Sequence, residues 1–276
     1  MQQYLDLIQD ILDNGEQKGD RTGVGTVSVF GRQLRFDLRK GFPAVTTKKL
    51  AFNACKGELL WFLEGSTDER RLAEITHGTS DGTVTIWTPN ALAPYWKPKA
   101  KFEGDLGTVY GKQMRNFGGV DQIEKLIHSL KTDPNSRRHI VSHWNPPELD
   151  TGALPPCHVM HQYVVNNKGE LSCMMTQRSV DSLLGFPFNL ASYALLTHML
   201  AQACGYKVGE LIMSLGDVHL YNNHIDQAKE QLTRDPLPLP ELWLNPDVKS
   251  IFDFKMDDIK LVNYQSHAAI KAPMAV

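Results

Sequence analysis

The residues with the clearest capacity for chemistry lie in Leu154-Pro155-Pro156-Cys157-His158. Two consecutive prolines fix φ and impose an extended lead-in, so Cys157 stands at the start of whatever strand follows. A thiol held at an element boundary, with Arg137-Arg138 upstream and Arg178 downstream, is a candidate nucleophile. The competing description of any one of the four cysteines is a small buried apolar residue. Glu58 is a second candidate. It shares a helix face with Cys55 and Phe62, where a carboxylate either pairs structurally or does acid–base work. The run Gly19-Asp20-Arg21-Thr22-Gly23-Val24-Gly25-Thr26 reads as a polar hairpin loop or as an anion-binding loop built on glycines and one arginine. It does not spell GxxxxGK[ST], so no nucleoside triphosphate site is indicated. Asn189, after Gly185-Phe186-Pro187-Phe188, is a helix N-cap on its own merits.

The elements that must position these groups follow from periodicity. Tyr4, Leu5, Ile8, Ile11 and Leu12 share one face of a helix over residues 2–14. Val27–Phe30 and Gln33–Leu38 read as two strands, the second alternating apolar and polar residues. Helices are predicted from about Phe52 to Leu63, Asp68 to Thr76 and Val120 to Leu130. Residues 77–106, rich in Gly, Pro, Asn and Lys, read as a long loop, functional or mobile, carrying Trp87 and Trp96. Strands are expected at His139–Trp144, His158–Asn166, Glu170–Thr176, around Met213–Tyr221 and near Asp258–Tyr264. The segment from Gly185 to about Cys204 is apolar nearly all round, which predicts a helix buried at the centre. Asn223–Leu232 looks helical. No repeat, low-complexity tract or linker interrupts the chain, so one domain over residues 1–276 is expected.

Composition excludes several function classes. At 276 residues, 42% hydrophobic and 22% charged, the chain is an ordinary globular sequence. A net charge of −2 argues against nucleic-acid or membrane-surface binding, which needs a basic surplus. The N-terminus lacks the pattern of a signal peptide, and the longest apolar run is broken by Thr197, His198 and Gln202. Cys55, Cys157, Cys173 and Cys204 show no CxxC spacing, so reduced thiols and a cytoplasmic location are expected. Cys157, His158 and His161 lack a fourth ligand at metal spacing, so no metal is expected.

Taken together, the motifs resemble the thymidylate synthase family over essentially the whole chain. The matching runs are Asp20-Arg21-Thr22-Gly23, Glu58-Leu59-Leu60-Trp61-Phe62-Leu63, Tyr110-Gly111-Lys112-Gln113 and Asn135-Ser136-Arg137-Arg138. They continue with Pro156-Cys157-His158, Gln177-Arg178-Ser179, Gly185-Phe186-Pro187-Phe188-Asn189 and His219-Leu220-Tyr221. The resemblance implies a three-layer α/β fold with a large mixed sheet and a buried central helix, and a homodimer packed sheet to sheet. It implies that Cys157 adds to C6 of dUMP and that 5,10-methylenetetrahydrofolate is the co-substrate. Attack requires a thiolate, and Arg178 is the cation expected to lower the thiol pKa. The nucleotide phosphate would meet Arg21, Arg178 and Ser179, with Arg137 and Arg138 supplied to the neighbouring subunit's site. Asn189 would pair with uracil O4 and N3, and His219 and Tyr221 would hold the 3′-hydroxyl. Gln177 and Asp181 would also face the nucleotide. Glu58, Tyr110 and His158 would relay protons. Trp87, Asp181, Gly185, Phe188 and Ala275 would face the folate, with the tail from Ala272 closing over the site.

The nucleotide half matches the family's spelling, whereas the folate half departs from it. Thr88 and Pro89 follow Trp87 where an acidic residue is usual. Met114 stands for a tryptophan, His143 for a small residue, and Leu215 for the first glycine of a Gly-Gly-Asp turn. Ala51-Phe52-Asn53-Ala54 stands where basic and polar residues are common. Two outcomes remain open for the methylene intermediate: reduction by tetrahydrofolate to dTMP, or addition of water to give a 5-hydroxymethyl nucleotide. Trp87 and the tail favour hydride, whereas Thr88, Met114 and Leu215 keep water in play. A catalytically silent nucleotide- or RNA-binding relative is disfavoured, because Cys157, Glu58, Asn189 and the arginines are all present.

Overall fold

The computed structural model describes residues 1–19 and 23–274. Helix α1 (Gln2–Asn14) buries Tyr4, Leu5, Leu7, Ile8 and Ile11, the face its 3.6-residue periodicity predicts. Short strand β1 (Glu16–Lys18) precedes β2 (Thr26–Asp37). The two strands expected between Val27 and Leu38 are therefore one. Gly31 sits at φ 72° opposite Gly216, so the ladder skips a pair there and resumes at Arg32–Leu215. A glycine takes this conformation without the steric cost a side chain would bring, and the strand continues past it.

Helix α2 (Phe52–Glu64) ends at left-handed Gly65, and α3 (Glu69–His77) is capped by the Asp68 carboxylate accepting from Arg70 N–H. Residues 77–106 form the expected irregular stretch, relieved by short helix α4 (Thr88–Ala91) and a 3₁₀ turn at Lys97–Lys99. Sequence periodicity missed α5 (Tyr110–Arg115), which is too short to show a pattern. Helix α6 (Gln122–Thr132), β3 (Ile140–Ser142) and β4 (His158–Val165) follow, with β4 starting immediately after Cys157. Strand β5 (Glu170–Asp181) runs five residues beyond the expected Thr176, carrying Gln177, Arg178 and Ser179 within the sheet. Helix α7 (Gly185–Cys204), β6 (Lys207–Tyr221) and α8 (Ile225–Leu232) complete the main body. A separate hairpin pairs β7 (Glu241–Leu244), which periodicity missed, with β8 (Ile259–Val262).

The main sheet has the order β1-β2-β6-β5-β4-β3, with β5 and β6 parallel and the other pairs antiparallel. A mixed α/β fold with a large mixed sheet is thus observed. Helix α7 makes the crossover between the two parallel strands, packs on them and on α2, and buries Phe186, Leu190, Tyr193, Leu196 and Met199. One sheet face (Leu34, Phe36, Tyr163, Leu171, Cys173, Met175, Leu211, Met213) belongs to this core. The opposite face carries Gln33, Gln162, Val164, Met174, Thr176, Ile212 and Ser214, partly or fully exposed. No helix among the described residues is long and apolar enough to cross a membrane.

Candidate active site

Sheet pairing puts a cation beside the thiol. Arg178 N–H donates to the Cys157 carbonyl at 2.8 Å. The Arg178 guanidinium then donates to Pro156 O (2.8 Å) and Pro155 O (3.2 Å), with Nη2 3.9 Å from Cys157 Sγ. The two prolines cannot bond as donors, but their carbonyls anchor the arginine. Gly216 of β6 lies against the Arg178 backbone, where an added Cβ would come within 2.8 Å of the Arg178 carbonyl oxygen. Of the four thiols, Cys55 and Cys173 are the small buried apolar residues of the competing description, whereas Cys157 and Cys204 are half-buried. The expected depression of the Cys157 pKa is not found. Burial pushes the thiol up, and Arg178 opposes that shift without reversing it.

A chain of aromatic and acidic groups runs from the Cys157 backbone to Glu58. Tyr110 Oη accepts the Cys157 N–H at 2.8 Å and lies 3.4 Å from His158 N. The Tyr110 ring stacks on His158 with centroids 4.5 Å apart and meets Trp87 edge-on at 6.1 Å. Trp87 Nε1 donates to Glu58 Oε1 at 2.7 Å. Burial pushes the Glu58 carboxyl up to about 7, with the Trp87 hydrogen bond opposing the shift. Glu58 is therefore poised between acid and base near neutral pH. Burial lowers His158 to about 4, opposed by a hydrogen bond with Asn189.

Thr88 has a definite job here. Its hydroxyl and that of Thr85 both donate to Glu69 Oε2 (2.9 and 3.0 Å), and Thr85 Oγ1 accepts from Trp87 N at 3.1 Å. Buried Glu69 on α3 thus ties down the turn that carries Trp87. Met114 and Leu215 are buried in the core.

The strand ends meet at the other rim. Register brings Ser179 opposite Asp217, Asp181 opposite His219, and Thr26 opposite Tyr221. His219 Nδ1 lies 2.9 Å from Asp217 Oδ1, and Tyr221 meets the His219 ring edge-on. Asp181 Oδ1 accepts from Leu183 N (3.0 Å) and Leu184 N (3.1 Å), shaping the turn into α7. Asn189 lies inside α7, four residues after its first residue, so N-capping is not its role. Gly185 opens α7, and half-buried Phe188 follows, its carbonyl 3.6 Å from Cys55 Sγ. Buried Gln177 donates to the Ser179 carbonyl at 3.0 Å.

Two expected residues, Arg21 and Ala275, lie outside the described residues. Arg137 and Arg138 are not brought to Cys157. They precede β3 near the Val165 end of β4, roughly 20 Å of strand from the thiol, with exposed side chains. Sequence reasoning passed over several other groups. Buried Lys48, its pKa lowered by burial to about 8, donates to the Leu183 carbonyl. His224 Nε2 donates to Pro273 O at 2.6 Å and so fastens the chain's tail beside Asp181, 3.9 Å from His224 Nδ1.

A mixed α/β fold that sets a thiol beside an arginine, with a near-neutral buried acid linked to it through Trp87 and Tyr110, suits nucleophilic catalysis on an anionic substrate. The chain belongs to the thymidylate synthase family, whose model, described as Thymidylate synthase, matches residues 2–276. Membership makes it an enzyme of nucleotide biosynthesis that transfers a one-carbon unit, in a family that uses dUMP and methylenetetrahydrofolate.

Proposed function

We propose that this enzyme methylates dUMP to dTMP, with 5,10-methylenetetrahydrofolate as donor of both the carbon and the hydride. Cys157 Sγ, as thiolate, adds to C6 of the uracil, and the displaced electron pair makes C5 nucleophilic. C5 takes the methylene group, loses its proton and expels tetrahydrofolate to leave an exocyclic methylene. Hydride from tetrahydrofolate reduces that methylene, and the thiolate departs, giving dTMP and dihydrofolate. Arg178 and Ser179, with Arg21, hold the phosphate; Gln177, Asp181 and Asn189 face the base, and His219 and Tyr221 take the 3′-hydroxyl. Glu58, Tyr110 and His158 move protons. Trp87, Asp181, Gly185, Phe188 and Ala275 line the folate side.

The observation that carries the hydride reading is the fixation of Trp87. It is 9% exposed, bonded to Glu58 and tied through Thr85 and Thr88 to Glu69. A fixed aromatic wall keeps water from the methylene. The second reading, hydration to 5-hydroxymethyl-dUMP, draws on the rim beside that wall. There Ile86 and Leu92 are 52% and 54% exposed, leaving an open solvent side.

The acting unit in this reading is one domain over residues 1–276, paired as a homodimer in the cytoplasm. Support for the dimer is the sheet face without helices, on which Phe30 and Val164 are 78% and 57% exposed, together with the distance of Arg137 and Arg138 from their own chain's thiol. Four free cysteines suit a reducing compartment. Cys157→Ala tests the reading: turnover should vanish while dUMP binding persists, and retained turnover would remove Cys157 as nucleophile.

A further inference from the structure

Behind the thiol, His143, His158 and His161 are buried together. His143 follows β3 directly, His158 and His161 belong to β4, and Tyr193 of α7 reaches between them. Tyr193 Oη lies 3.2 Å from His158 Nδ1 and 3.5 Å from His143 Nε2. His161 stacks on His143 with centroids 5.3 Å apart, and its Nδ1 lies 2.9 Å from Tyr163 Oη. The other polar or titratable groups bearing on this cluster are Tyr110, Cys173, Glu58 and Asn189.

Burial keeps the imidazoles neutral and the phenol protonated: His158 is lowered to about 4, His143 falls well below the usual range, and Tyr193 rises. A neutral imidazole carries one N–H, and a phenol has one proton to give. If Tyr193 donates to His158 Nδ1, it accepts from His143 Nε2–H. If it donates to His143 Nε2, it accepts from His158 Nδ1–H. Any other assignment sets two protons or two lone pairs against each other or, where both imidazoles donate, leaves the Tyr193 proton unpaired in a dry pocket, which is disfavoured.

We propose that His143 and Tyr193 are positioning residues that set the tautomer of His158. The nitrogen protonated on His143 decides, through one hydroxyl, whether His158 Nε2 presents an N–H or a lone pair. A turn of that hydroxyl alone cannot exchange the two arrangements, because each also fixes which outer ring nitrogen carries a proton. The consequence for proton transfer at C5 rests on the dUMP reading above.

The test uses the full chain labelled with ¹⁵N-histidine. Ring-nitrogen shifts should show one neutral tautomer for His158, and Tyr193→Phe or His143→Phe should each convert it to a mixture. In each variant, tritium release from [5-³H]dUMP should fall about 10-fold or more with dUMP affinity within about twofold. The double variant should be no slower than the slower single one, as expected for groups acting as a unit. An unchanged His158 tautomer in both single variants, or losses that multiply in the double variant, would overturn the proposal. Failure of the unaltered enzyme to release tritium would count against the dUMP reading alone, and the nitrogen spectra would still decide the coupling.

Discussion

Arg178 Nη2 lies 3.9 Å from Cys157 Sγ while the same guanidinium donates to the carbonyls of Pro155 and Pro156. One side chain thus shapes the turn that presents the thiol and charges its surroundings. Burial still outweighs the charge, and the thiol sits above its ordinary pKa. Two opposed effects at one sulfur can be separated by substitution.

Removing the charge should raise the thiol pKa further. A unit charge about 4 Å away is worth about 1 kcal/mol in a water-like medium, close to a factor of five in thiolate fraction. Arg178→Gln should therefore slow iodoacetamide alkylation of Cys157 about fivefold at pH 8, and Arg178→Lys should recover part of that loss. Equal alkylation rates in all three proteins would mean that the arginine acts only through the proline carbonyls.

Glu58 makes stability depend on pH. Its carboxyl rises from 4.5 to about 7 on folding, so the folded state holds the proton more tightly than the unfolded chain. Stability from this group is fully present below about pH 4.5 and is lost as pH rises through 7, by up to about 3 kcal/mol. Glu58→Gln should raise thermal stability more at pH 8 than at pH 5 while abolishing turnover. A gain in melting temperature independent of pH would contradict the assignment.

The tether on Trp87 separates folate from nucleotide. Thr88→Val removes one of two hydroxyls that donate to Glu69, at a cost of about 1 kcal/mol. Steady-state kinetics should show KM for methylenetetrahydrofolate raised about threefold or more, with dUMP affinity unchanged. Loss of dUMP affinity by the same factor would show that the turn supports the whole cleft.

Much of this was legible in the chain. The periodicities of α1 and α2 marked their buried faces, the all-round apolarity of α7 marked its burial, and Pro155-Pro156 fixed where β4 starts. Other features arise only in three dimensions. Gly31 looked like a break, but opposite Gly216 it becomes an irregularity within one long strand. His143, His161 and Tyr193 are far apart in sequence and meet because β3 pairs with β4 and Tyr193 of α7 reaches His143 and His158. The balance at Cys157 was also hidden, since Arg178 is visible as a letter and the depth of the thiol is not.

The most direct measurement is incubation of the enzyme with dUMP and 5,10-methylenetetrahydrofolate, following nucleotide mass and dihydrofolate absorbance together. The account predicts dTMP and dihydrofolate in equal amounts. A 5-hydroxymethyl nucleotide formed without dihydrofolate would contradict it, showing that water reaches the methylene past Trp87.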